Sequence, residues 1–106
     1  MSAEQVKSVD SFYVNGTSLQ GYVNTTYANL VSLFGQGIGG GDKTTAEWVL
    51  KFDDGTIATI YDWKECCTPM GNYQWHVGGN SRKVVAMVQD VLDGVIEIVE
   101  EFYEVE

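Results

Sequence analysis

Polar side chains that could support chemistry alternate with aromatic ones along residues 46–64 and 72–78. Alternate residues of a β-strand project from opposite faces, so the polar set would share one face of a sheet. On that face Asp62 beside His76 would give a carboxylate that orients a general base. No serine or cysteine nucleophile falls there, so we predict no enzyme. The face remains a candidate ligand-binding set: Glu47, Asp62, Lys64 and His76.

A glycine-rich stretch offers a second feature of interest. Residues 35–45 contain five glycines and include Lys43-Thr44, which invites comparison with a phosphate-binding loop. Such a loop joins a strand to a helix, whereas here a helical pattern precedes the stretch and a strand pattern follows it. The context favours a connector or a partner-binding loop. The alternative function is a small-ligand or nucleotide-binding module that combines this loop with the candidate ligand-binding set.

Acidic residues concentrate at the carboxyl end of the chain. The net charge is −9, and the last seventeen residues hold seven Asp or Glu and no Lys or Arg. This balance argues against direct binding of nucleic acid or anionic membranes, which both require basic surfaces. On a helix most of these carboxylates would form one stripe that suits a basic partner and imitates DNA phosphates. The predicted partner-binding residues are Asp90, Asp93, Glu97, Glu100, Glu101 and Glu104.

The elements that would position these residues follow from hydrophobic periodicity. Asn15-Gly16 predicts a tight turn between two strands over residues 12–23, and apolar spacing predicts a helix over residues 25–34. Residues 46–64 read as a hairpin that turns at Asp54-Gly55, with Phe52 opposite Ile57. Residues 73–77 form a third strand. The aromatic side of these strands would place all three tryptophans in the core: Trp48, Trp63 and Trp75.

The carboxyl end is predicted to be one long helix that begins at Asn80 or Ser81. An apolar seam repeats with a period of 3.5 from Val84 to Val105, which favours a helix and also allows a homodimer through it. Gly94 interrupts the seam, and the alternative is a helix that ends there with a strand beyond. The whole chain, residues 1–106, reads as one α+β domain: an antiparallel sheet in the order ββ-α-βββ-α, with a long acidic C-terminal helix.

The cysteines and the histidine do not suggest a metal site or a cofactor. Cys66 and Cys67 are adjacent and are the only cysteines, so a disulfide within the chain would be strained. Two thiols of this kind are typical of a reducing cytosol. With His76 as the only histidine and no CxxC spacing, zinc ligation is not indicated, and we predict no metal or cofactor.

Several short motifs resemble a family of small proteins of tailed bacteriophages and prophages. Residues 60–65, Ile-Tyr-Asp-Trp-Lys-Glu, are followed by Trp-His-Val-Gly-Gly at residues 75–79. Gly-Asp-Lys-Thr at 41–44, Ala-Glu-Trp at 46–48 and Asp-Gly-Thr at 54–56 belong to the same pattern. The resemblance covers roughly residues 22–88. It implies expression inside an infected bacterium and implies no particular reaction.

The leading hypothesis joins the acidic carboxyl end to this resemblance. We expect a phage accessory protein, located in the cytoplasm of the bacterial host, that binds and inhibits a host defence protein with a basic nucleic-acid-binding surface. Anti-CRISPR proteins that block a DNA-binding channel with an acidic, DNA-mimicking surface are similar in kind. The acidic residues from Asp90 onward lie outside the stretch covered by the resemblance.

Overall fold

The computed structural model describes residues 2–6, 18–35, 38–39, 45–64, 67–94 and 97–98, with side chains for 18–35, 45–64 and 67–94. Within these ranges the chain is a small α+β fold of one sheet and two short helices. In chain order the elements are β1 Ser2–Val6, β2 Ser18–Thr26, α1 Tyr27–Phe34, β3 Ile38–Gly39, β4 Ala46–Phe52, β5 Ile57–Tyr61, β6 Asn72–Gly79, α2 Val84–Leu92 and β7 Glu97–Ile98.

The sheet is antiparallel throughout its central part. Its strand order is β2-β6-β5-β4-β1-β7, and β3 also pairs with β4. All pairs are antiparallel except β1 with β7, which run parallel. The predicted order ββ-α-βββ-α is therefore wrong, because β3 and β7 add strands and the chain ends its described part in a strand instead of a helix.

The β4–β5 hairpin has a three-residue loop, and its register differs from the predicted one. The N–H of Phe52 donates to the carbonyl of Thr56, and Gly55 has a φ of 89° within the loop. This is a turn followed by a left-handed glycine, which shifts the pairing by one residue. Trp48 pairs with Ile60, where Tyr61 was expected. A one-residue shift moves every β5 side chain to the other face of the sheet.

Both helices cover the same face of the sheet and form the core with it. Helix α1 begins after Thr26, whose hydroxyl accepts the Asn29 N–H, and it ends at Gly35. Leu30 and Phe34 of α1 are buried against the sheet. The strands and α2 contribute the rest of the core: Val23, Ala46, Trp48, Leu50, Phe52, Ala58, Ile60, Trp75, Val77, Val84, Met87, Val88 and Val91.

The long acidic C-terminal helix is absent from the described residues. Helix α2 spans Val84–Leu92, and Gly94 has a φ of 82°, a left-handed conformation that ends helices. Glu97–Ile98 then pairs with β1 as a strand. The apolar period of 3.5 predicted a helix beyond Gly94, and this prediction was wrong. The β-branched residues that follow Gly94 suit a strand equally well. Neither Asn80 nor Ser81 is the N-cap, since Lys83 occupies that position without a side-chain cap.

Close packing of α2 on the sheet requires glycine at position 79. A Cβ on Gly79 would lie 2.7 Å from the Ile57 carbonyl oxygen and 2.8 Å from both Val84 methyl carbons. We expect Gly79→Ala to lower the free energy of unfolding by about 2 kcal/mol, measured by urea denaturation. Gly71→Ala is the matched control, because a Cβ on Gly71 would meet nothing within 4 Å. Equal urea midpoints for the two variants would contradict this packing.

Some predicted features lie outside the described residues. The turn at Asn15-Gly16 belongs to this group, as do the Lys43-Thr44 pair and Cys66. The strand that was to follow the turn is described as β2.

Candidate functional site

The face of the sheet opposite the helices carries the candidate site. On β2 a bulge between Leu19 and Gly21 inserts Gln20, so that Leu19 pairs with Gly78 and Tyr22 pairs with His76. The extra residue brings Leu19 and Tyr22 to the same side although they are three residues apart. Tyr61 of β5 pairs with His76, and the ring of Trp63 follows just beyond that strand. We name this surface the outer patch: Leu19, Tyr22, Tyr61, Trp63 and His76.

His76 lies at the centre of the outer patch and contacts three aromatic rings. The Tyr61 ring stacks on it with a centroid distance of 5.4 Å and an interplanar angle of 26°. Tyr22 meets it edge-on at 5.0 Å, and Trp63 lies at 6.4 Å. Tyr61 and Trp63 are 6.3 Å apart in an edge-to-face arrangement. These distances fall in the range of attractive aromatic pairs, so the rings support one another as a continuous surface.

Position 78 leaves no space for a side chain on the outer face of β6. A Cβ on Gly78 would lie 2.7 Å from the Thr59 hydroxyl and 3.5 Å from the Tyr61 ring. The first distance is too short for a Cβ and the second is an ordinary van der Waals contact, so the Thr59 hydroxyl is what requires glycine at this position. The Gly-Gly pair at 78–79 therefore serves both faces, with Gly78 admitting the Thr59 hydroxyl on the outer side and Gly79 admitting α2 on the core side.

Three apolar side chains of the outer patch are exposed, whereas Tyr61 and His76 between them are half-buried. Leu19, Tyr22 and Trp63 keep 48%, 44% and 42% of their surface accessible. They are three of the four exposed large hydrophobic residues in the part of the chain whose side chains are described, and the fourth is Met70. Along the same face Val49, Ile57 and Thr59 are buried. The accessible apolar surface is thus localised at one end of the face.

Two charged side chains border the outer patch. Glu47 pairs with Tyr61 across the strands, and burial raises the pKa of the Glu47 carboxyl above its ordinary value. Burial, the Glu47 charge and Tyr22 together raise the pKa of the Tyr61 hydroxyl, burial being the largest cause. The Lys64 ammonium lies 5.9 Å from the centre of the Trp63 ring. Both charges therefore lie within reach of a ligand on the patch.

Asp62 does not belong to this site. It is fully buried on the core side, where its carboxyl accepts the Thr45 N–H at 2.6 Å and the Ala46 N–H at 3.2 Å. The Thr45 hydroxyl adds a third hydrogen bond at 2.5 Å. The shifted β5 register turned Asp62 away from His76, so the two residues do not share a face as expected. Of the candidate ligand-binding set, the structure brings together Glu47, Lys64 and His76 and separates Asp62 from them.

The predicted acidic stripe does not form as one helix face. Asp90 is half-buried on α2, and Asp93 is exposed at its end. The backbone of Glu97 belongs to β7, beyond the end of the helix. Glu100, Glu101 and Glu104 lie outside the described residues. The homodimer stays a prediction, and the long helix that was expected to mediate it is absent from the described residues, since α2 ends at Leu92.

The outer patch was missed by the sequence analysis because Trp63 was assigned to the core. Trp48 and Trp75 are fully buried, and their indole N–H groups donate to the carbonyls of Gly35 and Thr25. Trp63 lies on the other face. A signal was present in the Asp-Asp-Gly sequence of the hairpin, since glycine as the third loop residue is typical of a three-residue turn.

Comparisons with known proteins add no family. Comparison of the chain with protein-family models, curated proteins and solved structures finds no match to any of them. The similarity to tailed-phage proteins therefore stays a prediction. Among the described residues no helix is long and apolar enough to cross a membrane. The same residues contain no group of three or more His, Cys, Asp or Glu placed to hold a metal ion.

Proposed function

We propose that this chain is a non-catalytic binding protein and that the outer patch is its contact surface for a partner protein. The observation that supports this most is the exposure of Leu19, Tyr22 and Trp63 together on one end of the sheet. Contiguous exposed apolar surface on a small domain is typical of interaction sites. Tyrosine and tryptophan are also the residue types that contribute most to binding energy at protein interfaces.

Charge makes a protein a better ligand class than a nucleic acid. Aromatic rings on an open sheet are also used to stack nucleobases, but those surfaces are surrounded by Lys and Arg. Here the net charge is −9, and the rings are bordered by one carboxylate, Glu47, and only one ammonium, Lys64, among the residues whose side chains are described. A phosphate backbone would be repelled. A protein with a basic surface would be attracted, which increases its association rate.

The resemblance to phage proteins suggests which kind of partner the outer patch binds and where the two proteins meet. We propose that the partner is a host protein with a basic, nucleic-acid-binding surface and that the encounter takes place in the bacterial cytoplasm. In this arrangement the outer patch supplies the apolar contact, and the acidic residues near the carboxyl end, including Asp90 and Asp93, supply long-range attraction.

Affinity capture with matched variants tests the proposal. The baits are the wild type, Tyr22→Ser/Trp63→Ser and the control Met70→Ser, each incubated with a bacterial lysate at low and at high salt. Met70 is 66% exposed and lies in the loop before β6, so its loss removes exposed apolar surface that is not part of the outer patch. Quantitative mass spectrometry then compares the captured proteins.

The expected result is a basic protein retained by the wild type and by Met70→Ser and lost with Tyr22→Ser/Trp63→Ser. The same protein should be captured less at high salt, because screening weakens the electrostatic part of the attraction. Equal capture by all three baits would remove the outer patch as the contact surface. Circular dichroism of each bait controls for folding, and the exposed positions of Tyr22 and Trp63 predict that the double variant folds.

A further inference from the structure

The exposed indole of the outer patch already contacts a cation within the chain. The Lys64 ammonium lies 5.9 Å from the centre of the Trp63 ring, within the range of a cation–π interaction. Lys64 adopts a φ of 58°, a left-handed conformation that is unfavourable for residues with a Cβ. It is the only non-glycine residue with positive φ among those the structure describes. The backbone thus adopts a costly conformation where an ammonium meets the Trp63 ring.

The Glu47 carboxylate and the aromatic rings of the outer patch lie on the same face of the sheet. Glu47 is the cross-strand neighbour of Tyr61, and the Tyr61 ring lies 6.3 Å from Trp63. An aromatic surface combined with a nearby carboxylate attracts cations and repels anions. The half-buried position of Glu47 makes its charge costly in the isolated protein, so an incoming cation gains by compensating it.

We infer that the outer patch receives an arginine side chain of the partner, which takes the place of the Lys64 ammonium on the Trp63 ring. This inference rests on the proposed function and specifies the chemistry of its contact. Arginine suits the site better than lysine because its planar guanidinium stacks on aromatic rings and is less strongly hydrated. The net charge of −9 favours the approach of a basic segment.

The test uses a short peptide as the probe and the three indole N–H signals as reporters. The ¹⁵N-labelled protein is titrated with acetyl-Gly-Arg-Gly-amide at constant ionic strength, and the control peptide carries neutral citrulline. Trp48 and Trp75 donate their N–H groups to backbone carbonyls in the core and serve as internal references. We expect the arginine peptide to shift the Trp63 indole signal and leave the other two in place, and the citrulline peptide to cause a much smaller shift.

Two variants test the roles of the bordering charges. Lys64→Asn removes the competing ammonium with a residue that tolerates positive φ, and it should bind the arginine peptide about threefold more tightly. Lys83→Gln is the matched charge control: it makes the same change in net charge at Lys83, which pairs with Asp54 in the hairpin loop, and it should leave affinity nearly unchanged. Glu47→Gln should weaken binding about threefold.

The outcomes separate this inference from the proposed function. Equal Trp63 shifts with the arginine and citrulline peptides, or no shift with either, would overturn the assignment of arginine. If Lys64→Asn and Lys83→Gln increased the affinity for the arginine peptide equally, the effect would be one of net charge. That result would overturn the inference that the Lys64 ammonium competes with arginine for the Trp63 ring. If capture of the partner still depends on Tyr22 and Trp63 while the peptide fails, the contact surface stands and its ligand chemistry is different.

Discussion

Replacing Asp62 by alanine is expected to lower the free energy of unfolding by about 3 kcal/mol, because buried donors would lose their acceptor. Asp62 is fully buried and accepts hydrogen bonds from the Thr45 N–H, the Ala46 N–H and the Thr45 hydroxyl. These bonds fix the start of β4 against the end of β5, and Thr45 also contacts the Thr68 hydroxyl at 2.7 Å. Urea denaturation followed by far-ultraviolet circular dichroism measures the change.

The control for this substitution is Asp93→Ala. Asp93 is exposed at the end of α2, where its carboxyl accepts a hydrogen bond from the Gln89 amide. An acid at a helix C-terminus opposes the helix dipole, so its removal should change stability by less than about 0.5 kcal/mol. If Asp62→Ala were as stable as Asp93→Ala, Asp62 would have no structural role, and a role in ligand binding would regain support.

The three tryptophans are expected to differ sharply in their contribution to stability. Trp48→Ala should lower the free energy of unfolding by about 4 kcal/mol, since it leaves a large cavity and removes an indole hydrogen bond. Trp75→Ala should behave similarly, because Trp75 packs against Trp48 with ring centroids 5.7 Å apart. Trp63→Ala should cost less than about 1 kcal/mol, because the Trp63 side chain lies at the surface with 42% of its area accessible.

Fluorescence quenching provides an independent check of this difference. Iodide reaches exposed indoles and not those in the core, so the wild type should contain one quenchable component. Trp63→Phe should lose that component and keep the emission of Trp48 and Trp75. A quenchable component that persists in Trp63→Phe, or a cost of several kcal/mol for Trp63→Ala, would place Trp63 in the core and contradict the outer patch.

The sequence predicts which side chains of β4 and β6 lie in the core, but it does not predict which side chains of β5 do. Alternation correctly assigned Trp48, Leu50 and Trp75 to the core. The β5 segment is buried on both sides, with Ile57, Ala58, Thr59 and Ile60 all buried, so its residue pattern does not select a face. The length of the loop determines the register instead. With a three-residue loop in place of a two-residue loop, Ile60 and Asp62 lie on the core face, and Tyr61 and Trp63 lie on the outer face.

The carboxyl end shows the limit of periodicity in another way. An apolar repeat of 3.5 residues continued through Gly94, yet the helix ends at Leu92 and a strand follows at Glu97–Ile98. Pairing with β1 is a contact between distant parts of the chain, which local periodicity does not encode. The helix predicted over residues 25–34 is observed as α1, Tyr27–Phe34. Its ends are defined locally, by a threonine at the N-cap and a glycine at the C-cap.

The candidate site was only partly visible in the sequence. Glu47, Lys64 and His76 were singled out from alternation, and the structure places them together at the outer patch. Tyr22 and Leu19 share the face of the outer patch because of a β-bulge in β2, and no residue pattern in the sequence predicts that bulge. The aromatic character of the site therefore depends on two register features, the bulge in β2 and the three-residue loop between β4 and β5.

The affinity of the purified partner for single-residue variants tests the role of the outer patch most directly. Once capture identifies that partner, titration calorimetry compares the wild type, Trp63→Ala and Met70→Ala. We expect Trp63→Ala to raise the dissociation constant at least about tenfold, which corresponds to about 1.4 kcal/mol, and Met70→Ala to change it less than about twofold. A dissociation constant for Trp63→Ala equal to that of the wild type would show that the patch is not the binding surface.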